Sequence, residues 1–108
     1  MNFNEYQEQI KKFAVYPGAG SGNLGALSYT ALGLAEEAGE YAGKVSKLIR
    51  DNVFETQLAV KELGDVLWQL TRAATELNID LATVAQQNID KLEKRVKDGT
   101  LQGIGDER

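Results

Sequence analysis

The chain has 108 residues, with 43% hydrophobic and 26% charged, which suits one globular domain and excludes a disordered chain. It contains no cysteine and no histidine, so disulfides, thiolate zinc sites, Ser-His-Asp triads and Cys-His nucleophiles are removed together. A formal charge of -4 argues against a nucleic-acid polymer as partner, because such ligands need a concentrated basic surface to release counterions.

The pattern predicts four helices in one all-α domain over residues 1–108. Phe3, Tyr6, Ile10 and Phe13 are spaced by threes and fours, with Asn2 or Asn4 as the cap. Tyr16-Pro17 ends that helix, since the residue before proline is pushed out of the α region. Glycines at 18, 20, 22 and 25 then predict a mobile loop, too irregular for a Walker-type phosphate cradle. The second helix carries an unbroken seam of Leu24, Leu27, Ala31, Leu34, Ala38, Tyr41, Val45 and Leu48, and Arg50-Asp51-Asn52 reads as its turn. Ala59, Leu63, Val66, Leu70, Ala73 and Leu77 repeat the rhythm in a third helix. Asp80 is the expected N-cap of a fourth, whose stripe is Leu81, Ala85, Ile89, Leu92 and Val96 and whose stop is Gly99. Thr100 to Arg108 reads as a loosely ordered tail. No apolar run is long enough to span a bilayer and no charged-then-apolar leader opens the chain, so a cytoplasmic protein away from membranes is expected.

Four carboxylates carry the functional signal. Glu37 and Glu40 are three apart on the second helix, and Glu62 and Asp65 are three apart on the third. At roughly 100° per residue each pair flanks its seam on the same rotational side. An antiparallel hairpin brings equal offsets to one side, and the midpoint of the two pairs falls at the turn near residue 51. The four acids are therefore expected to meet at one level. Adjacent unpaired anions push one another's pKa upward, and a hard divalent cation removes that cost. Oxygen-only ligands suit Mg²⁺ or Mn²⁺, and the missing histidine excludes Glu-x-x-His di-iron bundles. Ten Glu and six Asp also make isolated E-x-x-E spacings cheap on solvated helix faces. Only the shared side and height favour a joint site.

On the fourth helix Asn88, Lys91 and Arg95 share one flank. The two cations suit phosphate oxygens, with Asn88 on a metal-bound oxygen or a base edge. The alternative is a solvated face in which they pair with Glu93 or Asp98. Trp68 lies opposite the third helix's seam with Gly64, Thr71 and Thr75, and its exposure there calls for a partner subunit as cover. Glu36 points away from the seam, and Lys44 is placed to pair with Glu40 at i,i+4.

Gly33-Leu34-Ala35-Glu36-Glu37-Ala38-Gly39-Glu40, followed by Lys61-Glu62-Leu63-Gly64-Asp65-Val66-Leu67-Trp68, resembles the MazG-type nucleoside triphosphate pyrophosphohydrolases of the all-α NTP pyrophosphatase superfamily. The likeness continues through residues 88–95 and the Gly103-Ile104-Gly105-Asp106-Glu107-Arg108 tail, and Asn4-Glu5-Tyr6-Gln7 and Tyr16-Pro17 look like the short, single-domain members. The resemblance implies a four-helix, bundle-like oligomeric fold and hydrolysis of an NTP or dNTP to the monophosphate and pyrophosphate, a nucleotide-pool house-cleaning reaction. It implies Mg²⁺, with Mn²⁺ as a substitute, on Glu37, Glu40, Glu62 and Asp65. Glu37 or Glu40 is the candidate base, with Glu36 only if the helix is rotated from ideal geometry, and Asn88, Lys91 and Arg95 engage the phosphates. Relatives form homodimers or homotetramers with sites near subunit boundaries. The base-reading features of dUTP- or dCTP-selective relatives are not reproduced, so the base stays open. A phosphoribosyl-ATP pyrophosphohydrolase and a metal-stabilised helical interaction module without turnover are the competing readings.

Overall fold

A computed structural model describes residues 1–108. It contains four α-helices and no strand: α1 (Phe3–Gln9), continued by a 3-10 turn at Ile10–Phe13, α2 (Leu24–Asp51), α3 (Thr56–Glu76) and α4 (Leu81–Asp98). No helix is long and apolar enough to cross a membrane.

The helix ends follow local chemistry. Asn2 caps α1, accepting from the Glu5 N–H at 2.8 Å while the Glu5 carboxylate accepts from the Asn2 N–H at 3.2 Å. Asn23 caps α2 through the Ala26 N–H at 2.8 Å. Left-handed Asn52 closes α2, and Gly99 closes α4. One cap differs from expectation. Asp80 stands at the N-cap of α4, but its side chain makes no capping bond. The orphan N–H groups of Leu81 and Ala82 donate instead to Gln7 Oε1 at 2.7 Å and Asn4 Oδ1 at 3.2 Å, both from α1. Gln7 also donates to Thr75 Oγ1 and the Ile79 carbonyl, each at 3.1 Å, so one buried amide clamps α1 across the joint between α3 and α4.

α2 and α3 pack as an antiparallel hairpin, the dominant contact of the chain. They come together tightly where Gly33 faces Gln69: a Cβ at Gly33 would fall 2.4 Å from the Gln69 side chain. α4 meets α1 and α3 far less extensively, so the four helices do not close into a bundle within one chain. The radius of gyration of 16.4 Å exceeds the roughly 13 Å of a compact domain this size.

The interior corrects the expected seams. Only 13 residues are buried, and the apolar ones are Ile10, Tyr16, Ala26, Ala59, Ala74 and Leu81. Gln7, Thr30, Gln69, Thr71, Arg72, Glu76 and Arg95 share the interior with them. The large members of the α3 stripe, Leu63, Leu70 and Leu77, are exposed, as are Ile89, Leu92 and Val96 of α4. Helical periodicity identified the stripes but not what covers them, because the inward side of α3 is carried by Thr71, Arg72 and Glu76.

A buried ion pair organises that side. The Glu76 carboxylate accepts from the Tyr16 hydroxyl and from the N–H groups of Gly20 at 2.7 Å and Gly22 at 2.9 Å, and pairs with Arg72 at 3.6 Å. Arg72 Nε donates to the Tyr16 oxygen at 3.0 Å. The glycine loop, read from sequence as mobile, is thereby tied to α3. Gly22 has φ +69, and a Cβ there would lie 2.9 Å from the Glu76 carbonyl.

Candidate functional site

The hairpin brings three of the four expected acids together. Carboxylate oxygens of Glu37 on α2 and of Glu62 and Asp65 on α3 lie within 4.8 Å of one another. Glu37 and Glu62 are half-buried and Asp65 is exposed. Glu40, one turn beyond Glu37, is exposed and lies outside the group. The symmetric arrangement expected from spacing therefore holds for Asp65 but not for Glu40.

The electrostatics record the crowding. Burial raises the Glu37 carboxyl above its ordinary value, and the charges of Asp65, Glu36, Glu62 and Glu40 push it further up. Lys44 does not pair with Glu40 as its i,i+4 spacing suggested. Its ammonium lies 3.8 Å from Glu62 across the hairpin, because Glu62 is half-buried and nearer the seam. One lysine against three carboxylates leaves the group net negative. The Tyr6 phenol, half-buried on α1, is raised by burial and by the charge of Asp65, so α1 also reaches the field of the cluster. An all-oxygen group of this sign has the chemistry of a Mg²⁺ or Mn²⁺ site.

The cationic group sits on α4. Lys91 Nζ lies 2.9 Å from Asp106 Oδ1, and Arg95 Nη2 lies 2.9 Å from the same oxygen and 2.6 Å from the Asp106 carbonyl. The expected partners, Glu93 and Asp98, are not used by either; Asp98 pairs with Lys94 at 2.7 Å. The Lys91 ammonium, then the Arg95 guanidinium, hold the Asp106 carboxyl below the usual aspartate range. Arg95 is buried, and its Nε has no partner. Asn88 is exposed and lines a recess with Val84, Gln87 and Lys91. Neither concavity bordered by Lys91 includes Glu37, Glu62 or Asp65, so one chain does not gather acids and cations into one pocket.

Trp68 requires a correction. It is half-buried, with its ring edge-on to Tyr16 at 6.4 Å, and Tyr16 stacks on Tyr29 at 4.6 Å. Part of its cover comes from the same chain, because it shares the inward face of α3 with Thr71 and Arg72. Sequence reading also missed the Tyr16–Arg72–Glu76 network, whose available signal was the i,i+4 spacing of Arg72 and Glu76. It missed Asp106 as well, an acid in a glycine-containing tail within reach of two cations.

Comparison with known proteins places these features in a family. The family of the MazG nucleotide pyrophosphohydrolase domain matches residues 26–100, a stretch that includes both acid pairs and the α4 cations. The chain is 41% identical over 117 aligned positions to the Gene 37 protein of Mycobacterium phage L5, an alignment covering the whole of both. No solved structure matches the chain. The family match extends over more than half of the chain, and its boundaries run from the first turn of α2 to the second residue after α4. The chain belongs to the MazG nucleotide pyrophosphohydrolase domain family.

Proposed function

We propose that this protein is a Mg²⁺-dependent pyrophosphohydrolase that cleaves a nucleoside or deoxynucleoside triphosphate to the monophosphate and pyrophosphate. The observation that carries the reading is the mutual approach of Glu37, Glu62 and Asp65 within 4.8 Å, with Glu37 held above its ordinary pKa. Their oxygen-only donors and net negative charge fit a hard divalent cation, which Glu37, Glu62 and Asp65 would hold. Glu40, one turn away, is available to complete the set. When bound, the ion supplies charge neutralisation of the phosphates and acidifies water.

The residues divide the remaining work. Glu37 accepts the proton of the attacking water as the new P–O bond forms and the pyrophosphate oxygen leaves. A carboxylate not fully committed to the metal suits that role, and Glu40 is the alternative. Lys91 and Arg95 hold phosphate oxygens and offset the charge growing on the leaving group, and Asn88 on the same flank adds a neutral contact. The exposed Leu63, Leu70 and Leu77 of α3 and Ile89, Leu92 and Val96 of α4 favour a homodimer or homotetramer that covers these stripes.

The decisive experiment is Mg²⁺-dependent pyrophosphate release from mixed NTPs and dNTPs, with phosphoribosyl-ATP in the same panel. Release that requires Mg²⁺ and is lost in Asp65→Asn supports the reading. No release from any substrate overturns it, and turnover of phosphoribosyl-ATP alone reassigns the substrate.

A further inference from the structure

The tail beyond α4 has a defined shape. Arg108 commits Nε to the Thr100 carbonyl at 3.1 Å, Nη1 to that of Gly105 at 2.6 Å and Nη2 to that of Leu101 at 2.9 Å, stitching residues 100–108 into a closed loop. Gly105 turns the loop at φ +90, a conformation side chains resist. The loop delivers Asp106 onto Lys91 and Arg95, where one carboxylate oxygen meets both cations. Lys91, Lys94, Arg95, Asp106, Glu107 and Arg108 line a concavity of about 230 Å³ with no hydrophobic wall.

We propose that Asp106 is a built-in competitor: it occupies the oxyanion position of the Lys91–Arg95 pair, and a triphosphate binds there by displacing the tail. Three observations support the exchange. The occupant is an oxyanion bridged by two cations, the arrangement a phosphate oxygen would adopt. The pair is unevenly built, with Arg95 buried as a fixed wall while the Asp106 side chain is 74% exposed, its carbonyl also accepting from Arg95. Arg95 Nε is buried without a partner, so the carboxylate does not exhaust the donors that a tetrahedral group with more oxygens would use. A tethered anion competes at high effective concentration, which weakens the apparent affinity by the fraction of chains with the tail closed. The inference rests on the reading of Lys91 and Arg95 as phosphate-holding residues.

The test uses the full chain and two readouts: titration with inorganic tripolyphosphate without metal, and steady-state kinetics with Mg²⁺ and mixed dNTPs. Asp106→Asn removes the competing charge, and Gly105→Ala strains the loop while leaving every charge in place. Both should bind tripolyphosphate about two- to tenfold tighter, the range expected when exposed charge pairs are released. The gain should appear in KM rather than kcat, and Lys91→Ala in the Asp106→Asn background should abolish it. Glu93→Gln, with the same net charge change on α4, should leave both readouts at wild-type values. Unchanged or weaker tripolyphosphate binding in Asp106→Asn overturns the inference, because Asp106 would then be holding the cations in place. The two readings fail separately. A chain without turnover that still gains affinity on neutralising Asp106 keeps the tail as competitor and loses the hydrolase; turnover with no gain does the reverse.

Discussion

Glu37→Gln tests the acidic group without presupposing turnover. Two carboxylates approach Glu37 within 4.8 Å, and at water's dielectric each unit-charge pair at that distance repels by about 0.9 kcal/mol. Salt screening reduces the sum, so neutralising Glu37 should stabilise the metal-free chain by about 1 kcal/mol. For a domain this size that is a rise in Tm of roughly 4–8 °C. Mg²⁺ at a hundredfold excess over its Kd should stabilise the wild type by about 2.7 kcal/mol, and the variant should lose most of that increment. The pH dependence has a definite sign. A carboxyl raised in the folded state keeps its proton where the unfolded chain has lost it, so metal-free stability falls as pH rises from 4.5 through the folded value of Glu37. Glu37→Gln removes that slope. Thermal unfolding at fixed protein concentration, with and without Mg²⁺, reads all three effects. A variant that melts lower without metal, or keeps the full Mg²⁺ increment, would refute the assignment.

Glu76→Ala should cost about 3–5 kcal/mol, since it leaves a buried Arg72 uncompensated, and should lower the urea midpoint by roughly 2 M; a loss below about 1 kcal/mol contradicts the network. Burial raises the Glu76 carboxyl, but hydrogen bonds from Tyr16, Gly20 and Gly22 and the charge of Arg72 outweigh it, so its stabilisation is present above 4.5 and lost as pH falls through its lower folded value, measurable as a falling urea midpoint. Gln7→Ala removes three hydrogen bonds at the α3–α4 joint and should cost about 1–3 kcal/mol, with faster hydrogen exchange at the Leu81 amide. Lys91→Ala and Arg95→Ala should each lower kcat/KM by about one to two decades while Mn²⁺ binding to the nucleotide-free chain barely changes.

The elements were legible because their signals are local. Helix periodicity, the Asn2 and Asn23 caps, the turn at Asn52 and the stop at Gly99 each depend on residues within a few positions. The acidic group was legible for a related reason: a hairpin with a short connection maps spacing onto opposed positions, and Glu37, Glu62 and Asp65 obey it. Glu40 and Asp65 hold equivalent positions in their pairs and are both exposed, yet only Asp65 joins the group, a difference that spacing does not carry. What local patterns cannot carry is the identity of the covering surface. The α3 leucines keep a helical period whatever lies against them, so the period located the stripe but not how much of it α2 covers. Trp68 fell to the same ambiguity, since part of its cover is Tyr16, 52 residues back in sequence. The α4 cap shows the limit most directly: Asp80 has the right residue type, yet Gln7 makes the bond from another helix.

The two halves of the site share an electrostatic logic. Each is a cluster of one sign, and the chain places a residue of opposite sign against it. Lys44 stands 3.8 Å from Glu62 in the acidic group, and Asp106 stands 2.9 Å from both Lys91 and Arg95 in the cationic one. Neither counter-charge is locked in: Lys44 makes no hydrogen bond to Glu62 at that distance, and Asp106 is mostly in solvent. Like-charge repulsion in the empty protein is thereby reduced without filling either position with a group that cannot leave. A metal-bound triphosphate carries both signs at once, the cation for the acids and the phosphates for the cations. Because the two groups line separate parts of one chain, such a ligand would displace both partners in one binding event only where a second subunit brings an acidic group and a cationic group together. Under the proposed function, discrimination in favour of the complete metal–nucleotide complex would follow from that pairing. Such discrimination would act through charge alone and would require no residue that reads the base.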